Sequence, residues 1–165
     1  MTADIIILEA RIRRELLQLQ KIAGELKAVI KPYKHKPVKD TAVLRALGSI
    51  LHDFYSGIEK IFLQIAQEID QSAPKAENWH RLLLEQMTLP LRGRRPPVIS
   101  TELASKLQQY LAFRHRFRNL YGFELEWGRM EELVRALPGT LEEFSAAIDS
   151  LLTLLEAADD ADNGE

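Results

Sequence analysis

An all-α, single-domain helical bundle is the fold class the sequence predicts, and three observations predict it. Apolar residues recur at steps of three and four through several long segments, and no segment alternates apolar and polar residues over the length of a strand. The stretches between those segments are short and marked by proline, glycine and cap residues, so that neighbouring helices can pack antiparallel. With 165 residues and a hydrophobic share of 46%, the chain is long enough to bury one core, and it contains no internal repeat.

The first helix is predicted from Ile5, Leu8, Ile12, Leu16, Leu19, Ala23, Leu26 and Ile30, which trace one stripe, and it should stop by Lys31-Pro32 because proline disfavours helical geometry in the residue before it. A second helix begins after the cap candidates Asp40 and Thr41. Its stripe runs Val43, Leu47, Ile50, Phe54, Ile58, Ile61, Ile65 and Ile69, and Leu51, Tyr55 and Phe62 widen it, which predicts a central position. Asn78 caps a shorter third helix with Trp79, Leu82, Leu83 and Met87, ended before Leu89-Pro90. From Pro90 to Ser100, prolines, Gly93 and arginines predict a loop. Ser100 or Thr101 caps a fourth helix expected to reach Tyr121-Gly122, a fifth spans about Glu126 to Leu137, and a sixth starts at Thr140, where Glu143 completes a capping-box spacing. Phe144, Ile148, Leu151 and Leu155 form its buried stripe. The count is therefore five to six helices, with the bundle over 1–155 and a disordered acidic tail over 156–165.

Composition narrows the function classes. No cysteine is present, which excludes disulfides, thiolate metal sites and cysteine nucleophiles and fits a reducing cytoplasm. No apolar run approaches the ~18–20 residues that cross a bilayer, and the opening residues lack the pattern of a secretory signal, so neither membrane insertion nor export is expected. His35, His52, His80 and His115 show no metal-ligand spacing, and no metal or cofactor is expected; His52 and His80 read as structural and His35 as exposed. Glycine-rich phosphate loops are absent, Ser100 and Ser105 have no adjacent base, and Asp53 and Glu59 fall on different faces of the second helix. The net charge of −2 conceals a basic body, because Glu156, Asp159, Asp160, Asp162 and Glu165 crowd the end while cations gather at 31–39, 92–95 and 114–118. Such cation clusters serve either as solvated surface or as phosphate contacts.

The segment Tyr110-Leu-Ala-Phe-Arg114-His115-Arg116-Phe117-Arg118-Asn119-Leu120-Tyr121-Gly122 carries the most chemistry. On a continuous helix, Phe113, Phe117 and Leu120 would face the core, Arg114, Arg118 and Tyr121 would line the edge of that stripe, and His115 and Asn119 would form a row one turn apart. The result would be a basic ledge with no carboxylate in the segment to neutralise it. Glu124, Glu126 or the acidic tail could pair with it, and Tyr121-Gly122 could be a plain helix stop.

These residues, together with Leu51-His-Asp-Phe-Tyr-Ser-Gly-Ile-Glu-Lys-Ile-Phe62 and Trp79-His80, give the chain from about Leu51 to Leu133 a resemblance to the bacterial HEPN proteins, and among them to the HepT-like toxins. The resemblance implies a helical bundle that forms a homodimer and cuts RNA, with transfer RNA one such target, without metal, at a cleft where two copies of an arginine-to-histidine motif meet. It also implies a nucleotidyltransferase antitoxin that adenylates the motif tyrosine. Laid on this chain, the motif arginine is Arg114, the polar residue after it His115, and the tyrosine, the modification site, Tyr121. The histidine position holds Asn119, which departs from the motif: an amide can orient a phosphate but cannot exchange a proton. His115 is the titratable group in the segment and is assigned proton transfer, Arg114 and Asn119 complete the catalytic set, and Arg116 and Arg118 hold RNA phosphate. The alternative is a catalytically silent bundle that binds RNA, a nucleotide or a partner protein. Dimerisation would use apolar surface on the first two helices.

Overall fold

The computed structural model describes residues 2–162, and among them the chain forms five α-helices: α1 (Ala3–Ile30), α2 (Thr41–Glu68), α3 (Trp79–Gln86), α4 (Thr101–Phe117) and α5 (Trp127–Asp162). None is long and apolar enough to cross a membrane. α2 packs on each of the other four, as its wide stripe predicts. Leu47, Leu51, Phe54, Tyr55, Ile58, Ile61, Phe62 and Ile65 of α2 have no exposed surface. At about 1.5–3 kcal/mol for each large apolar side chain buried, this one helix anchors the core. Its face is spent inside the subunit, while α1 leaves Ile6, Ile7 and Leu17 exposed.

Local chemistry sets the helix starts. Asp40 accepts from the backbone N–H groups of Ala42 and Val43 to cap α2, and Ser100 accepts from Leu103 to cap α4. Asn78 precedes α3 but makes no side-chain cap bond. Gly57 allows close packing of α1 on α2: a Cβ there would lie 2.6 Å from a methyl of Leu19. Gly48 does the same for the end of α4, where a Cβ would meet the Phe117 ring at 2.7 Å.

Three expectations need correction. The predicted fifth and sixth helices are one, α5, which continues through Pro138. Proline inside a helix costs about 3 kcal/mol, but Val134, Leu137, Leu141 and Phe144 lie on one buried stripe on both sides of it, and their packing keeps the helix whole. Thr140 is consequently buried inside the helix and caps nothing. The acidic stretch from Glu156 to Asp162, expected to be disordered, is the last part of α5, with Asp159 accepting from the backbone N–H of Thr2 at the start of α1; residues 163–165 lie outside the described residues. Finally, α4 stops at Phe117, four residues before the expected Tyr121.

The loop from Pro90 to Ser100 is ordered by its own arginine. Arg95 donates to both oxygens of Asp70 at 2.6 and 2.7 Å, with both side chains fully buried, and also to the carbonyls of Gln86, Leu89 and Pro96. Gln86 donates to Asp70 in turn. Arg94 donates to the carbonyl of Ile69 and the side chain of Gln71. Two of the three loop arginines thus fasten the α2–α3 connection.

Candidate functional site: a basic cleft between α3 and α4

The end of α4 departs from helical extrapolation in a way that decides which residues meet. After Phe117 the backbone makes three-residue bonds, Asn119 to Arg116 and Leu120 to Phe117, and Tyr121 is extended, with φ −71° and ψ 148°. The Asn119 carboxamide N–H donates to the carbonyl of His115 at 3.2 Å, which satisfies one of the helix's last carbonyls. Glu124 accepts from the Tyr121 N–H at 2.9 Å and fixes the following turn. Leu120 is exposed rather than in the core, and Tyr121 and Phe123, each 70% exposed, stack on one another with rings 5.4 Å apart.

Arg114 is not on an exposed ledge. It is 3% exposed and meets a carboxylate supplied by α2: its terminal nitrogens donate to Glu59 at 3.1 Å and to Ser56 at 3.2 Å, and the guanidinium lies 5.1 Å from the Tyr55 ring centre. His80, in the first turn of α3, joins them. Its Nδ1 lies 2.7 Å from Glu59 Oε2 and 2.9 Å from an Arg114 nitrogen, and its ring stacks on Trp79 at 3.7 Å. Burial and the charge of Glu59 push the Tyr55 hydroxyl's pKa upward, so it stays protonated across the physiological range.

This cluster forms one wall of a cleft of about 470 Å³ whose lining comprises four arginines, 81, 114, 116 and 118, two histidines, His80 and His115, and a single carboxylate, Glu77, along with Asn78, Gln108, Leu111 and Ala112. Among the described residues Arg81, Arg116 and Arg118 pair with no carboxylate, and all three are exposed. The cleft therefore has a neutralised base, Arg114 with Glu59, and an uncompensated cationic rim. A second cavity of about 290 Å³ lies on the other side of α4 and is lined by His115, Arg116, Asn119, Glu124 and Arg129 among others. Of the residues singled out in the sequence, the structure gathers Arg114, His115, Arg116 and Arg118 at the first cleft; Asn119 lines the second, and Tyr121 lines neither.

Sequence reasoning missed Glu59 and His80. Glu59 had a legible signal: it falls on the Tyr55–Phe62 line of α2, so a carboxylate stood on a buried stripe and required a cationic partner. His80 had none, because its neighbours come from α2 and α4. Among the described residues, no three histidine or acidic side chains converge as metal ligands. The sequence model of a family described as HepT-like protein matches residues 46–155, which takes in most of α2, all of α3 and α4, most of α5 and the whole cleft. No curated protein and no solved structure matches the chain.

Proposed function

The chain belongs to the HepT-like family, and from that premise we propose that it is a metal-independent endoribonuclease of the toxin class, held in check by a nucleotidyltransferase antitoxin. The observation that carries the proposal is the cleft: three exposed arginines, 81, 116 and 118, without carboxylate partners among the described residues, converge with two histidines on a concave surface, and one carboxylate lines it. RNA offers the matching chemistry, a phosphate every nucleotide and a ribose hydroxyl beside it. In this reading Arg116 and Arg118, with Arg81, hold phosphates, His115 exchanges a proton, and Arg114 organises the cleft wall through Glu59. Two copies of the chain, brought together as a homodimer, would double the cations around one phosphate.

Tyr121 stands where an enzyme could reach it, exposed on an extended stretch just past α4. Adenylation of its hydroxyl would add a phosphate close in sequence to Arg116 and Arg118, a negative group competing for the same cations. Tyr121→Phe is expected to abolish modification by a cognate nucleotidyltransferase and to leave RNA binding unchanged; adenylate found only at other positions counts against this.

A second reading has its own observation. Asn119 uses its amide on the His115 carbonyl and lines a different cavity from Arg114, as a purely structural residue would. That position of Asn119 favours a silent bundle that binds RNA or a partner without cutting. Induced expression separates the two. Growth arrest with broken RNA, relieved by Arg116→Ala/Arg118→Ala in a protein that still folds, supports the ribonuclease. Normal growth with intact RNA on induction of the wild type supports the silent bundle.

A further inference from the structure

Resting on the ribonuclease reading, we propose that His80 is the catalytic base of this cleft and that Glu59 is its positioning residue. A neutral imidazole nitrogen carries either a proton or a lone pair, yet His80 Nδ1 faces a carboxylate oxygen at 2.7 Å and an arginine nitrogen at 2.9 Å. The shorter contact, to the buried Glu59 carboxylate, requires the proton, so Nδ1–H donates to Glu59 and the lone pair is left on Nε2. That second nitrogen sits on the opposite edge of a ring that is partly exposed and lines the cleft. Trp79 stacks on the ring, and Arg114 bonds to both oxygens of Glu59, so tautomer and orientation are fixed by neighbours that are themselves fixed. A carboxylate holding one imidazole nitrogen while the other faces substrate space is the arrangement a general base needs.

The chemistry balances without a cofactor. Nε2 of His80 takes the proton of a ribose 2′-hydroxyl as that oxygen bonds to the adjacent phosphorus. The bond from phosphorus to the 5′-oxygen breaks, and the leaving oxygen receives a proton from the His115 imidazolium in the same cleft. The products are a 2′,3′-cyclic phosphate and a 5′-hydroxyl, no water is consumed, and proton exchange with solvent restores both histidines. Arg116 and Arg118 face the charge that grows on the phosphoryl oxygens. This assignment supplies a proton acceptor although the motif's histidine position holds Asn119.

The charged groups around His80 are Glu59 from α2, Arg114, His115, Arg116 and Arg118 from α4, and Glu77 and Arg81 on its own side of the cleft. With one histidine required neutral and the other charged, cleavage should follow a bell-shaped pH profile. The test uses the full-length protein, a pool of transfer RNA and a single-stranded RNA oligonucleotide, with cleavage rate and affinity measured for the wild type, His80→Gln and Glu59→Gln. Glutamine can keep the bond by donating its amide N–H to Glu59 but cannot take up a proton near neutral pH. His80→Gln is expected to lose cleavage about a hundredfold or more while affinity stays within about threefold, and Glu59→Gln is expected to move the acidic limb of the profile. A His80→Gln enzyme that cleaves within about threefold of wild type overturns the assignment and leaves the ribonuclease reading standing. A wild type that binds RNA without cutting it also overturns the assignment, and one that neither binds nor cuts overturns both. If His80→Gln loses its helical circular dichroism, the wild-type profile decides: rates that stay flat on the acidic side refute the base.

Discussion

Replacing Glu59 with alanine removes the carboxylate that neutralises Arg114, whose side chain is 4% exposed beside a Glu59 side chain that is 8% exposed. At 3.1 Å the attraction is worth about 5 kcal/mol before desolvation is counted, taking an effective dielectric of about 20. Removing one partner of such a pair leaves an uncompensated buried charge and costs about 3–5 kcal/mol. For a chain of this size that corresponds to a fall in melting temperature of about 6–20 °C. Arg114→Ala should cost a similar amount, since Glu59 would keep only His80 and the cleft. The double variant Glu59→Leu/Arg114→Met replaces the pair by apolar groups and should be at least ~2 kcal/mol more stable than either single variant. Thermal and urea unfolding followed by circular dichroism measure all four proteins. The double variant is also expected to lose RNA cleavage despite its stability, because His80 no longer has Glu59. A Glu59→Ala protein within about 1 kcal/mol of wild type would refute the buried pairing of Arg114, and with it the anchored cleft wall.

Asp70→Ala should destabilise by a comparable ~3–5 kcal/mol, because Arg95 is fully buried against it, and should leave the RNA affinity of the folded protein unchanged. Tyr110 donates to the Leu133 carbonyl at 2.8 Å, and burial pushes its hydroxyl up to about 12. The native state thus holds this proton more tightly than the unfolded chain, whose tyrosine titrates near ~10. The stability it contributes is complete below pH ~10 and is lost as the pH rises toward about 12. The free energy of unfolding measured from pH 8 to 12 should fall along that window in the wild type and less steeply in Tyr110→Phe, which also loses about 1 kcal/mol at neutral pH with the hydrogen bond.

The helices were legible wherever one stripe of side chains met one cap. α2 illustrates this: Asp40 fixes its start and Leu47 to Ile65 its buried face, and both are local facts of sequence. Pro138 misled because the cost of a proline is local, while the packing of Leu137 and Leu141 against other helices, which outweighs it, is not. The end of α4 misled for a related reason. Extrapolation at 100° per residue carries the helix to Tyr121, whereas Phe117 seats against Gly48 and the chain turns away, sending Leu120 out of the core and Tyr121 off the edge shared with Arg114 and Arg118, while Asn119 stays one turn after His115 and bonds to its carbonyl. At the candidate site, the cations of α4 were visible as a run, but their differing fates were not. Arg114 is neutralised by a residue 55 positions earlier in the chain, and Arg118 remains exposed. His80 gains its partners only when α2, α3 and α4 assemble.

Fluorescence anisotropy of a labelled single-stranded RNA, titrated with wild type and with Arg116→Ala/Arg118→Ala across a range of salt concentrations, tests most directly whether the rim of this cleft grips phosphate. Each phosphate neutralised on single-stranded nucleic acid contributes about −0.7 to the slope of log affinity against log salt. The account predicts weaker binding by the double variant and a slope shallower by about 1.4, with unfolding unchanged because both side chains are exposed. Equal affinities and equal slopes for the two proteins would contradict it.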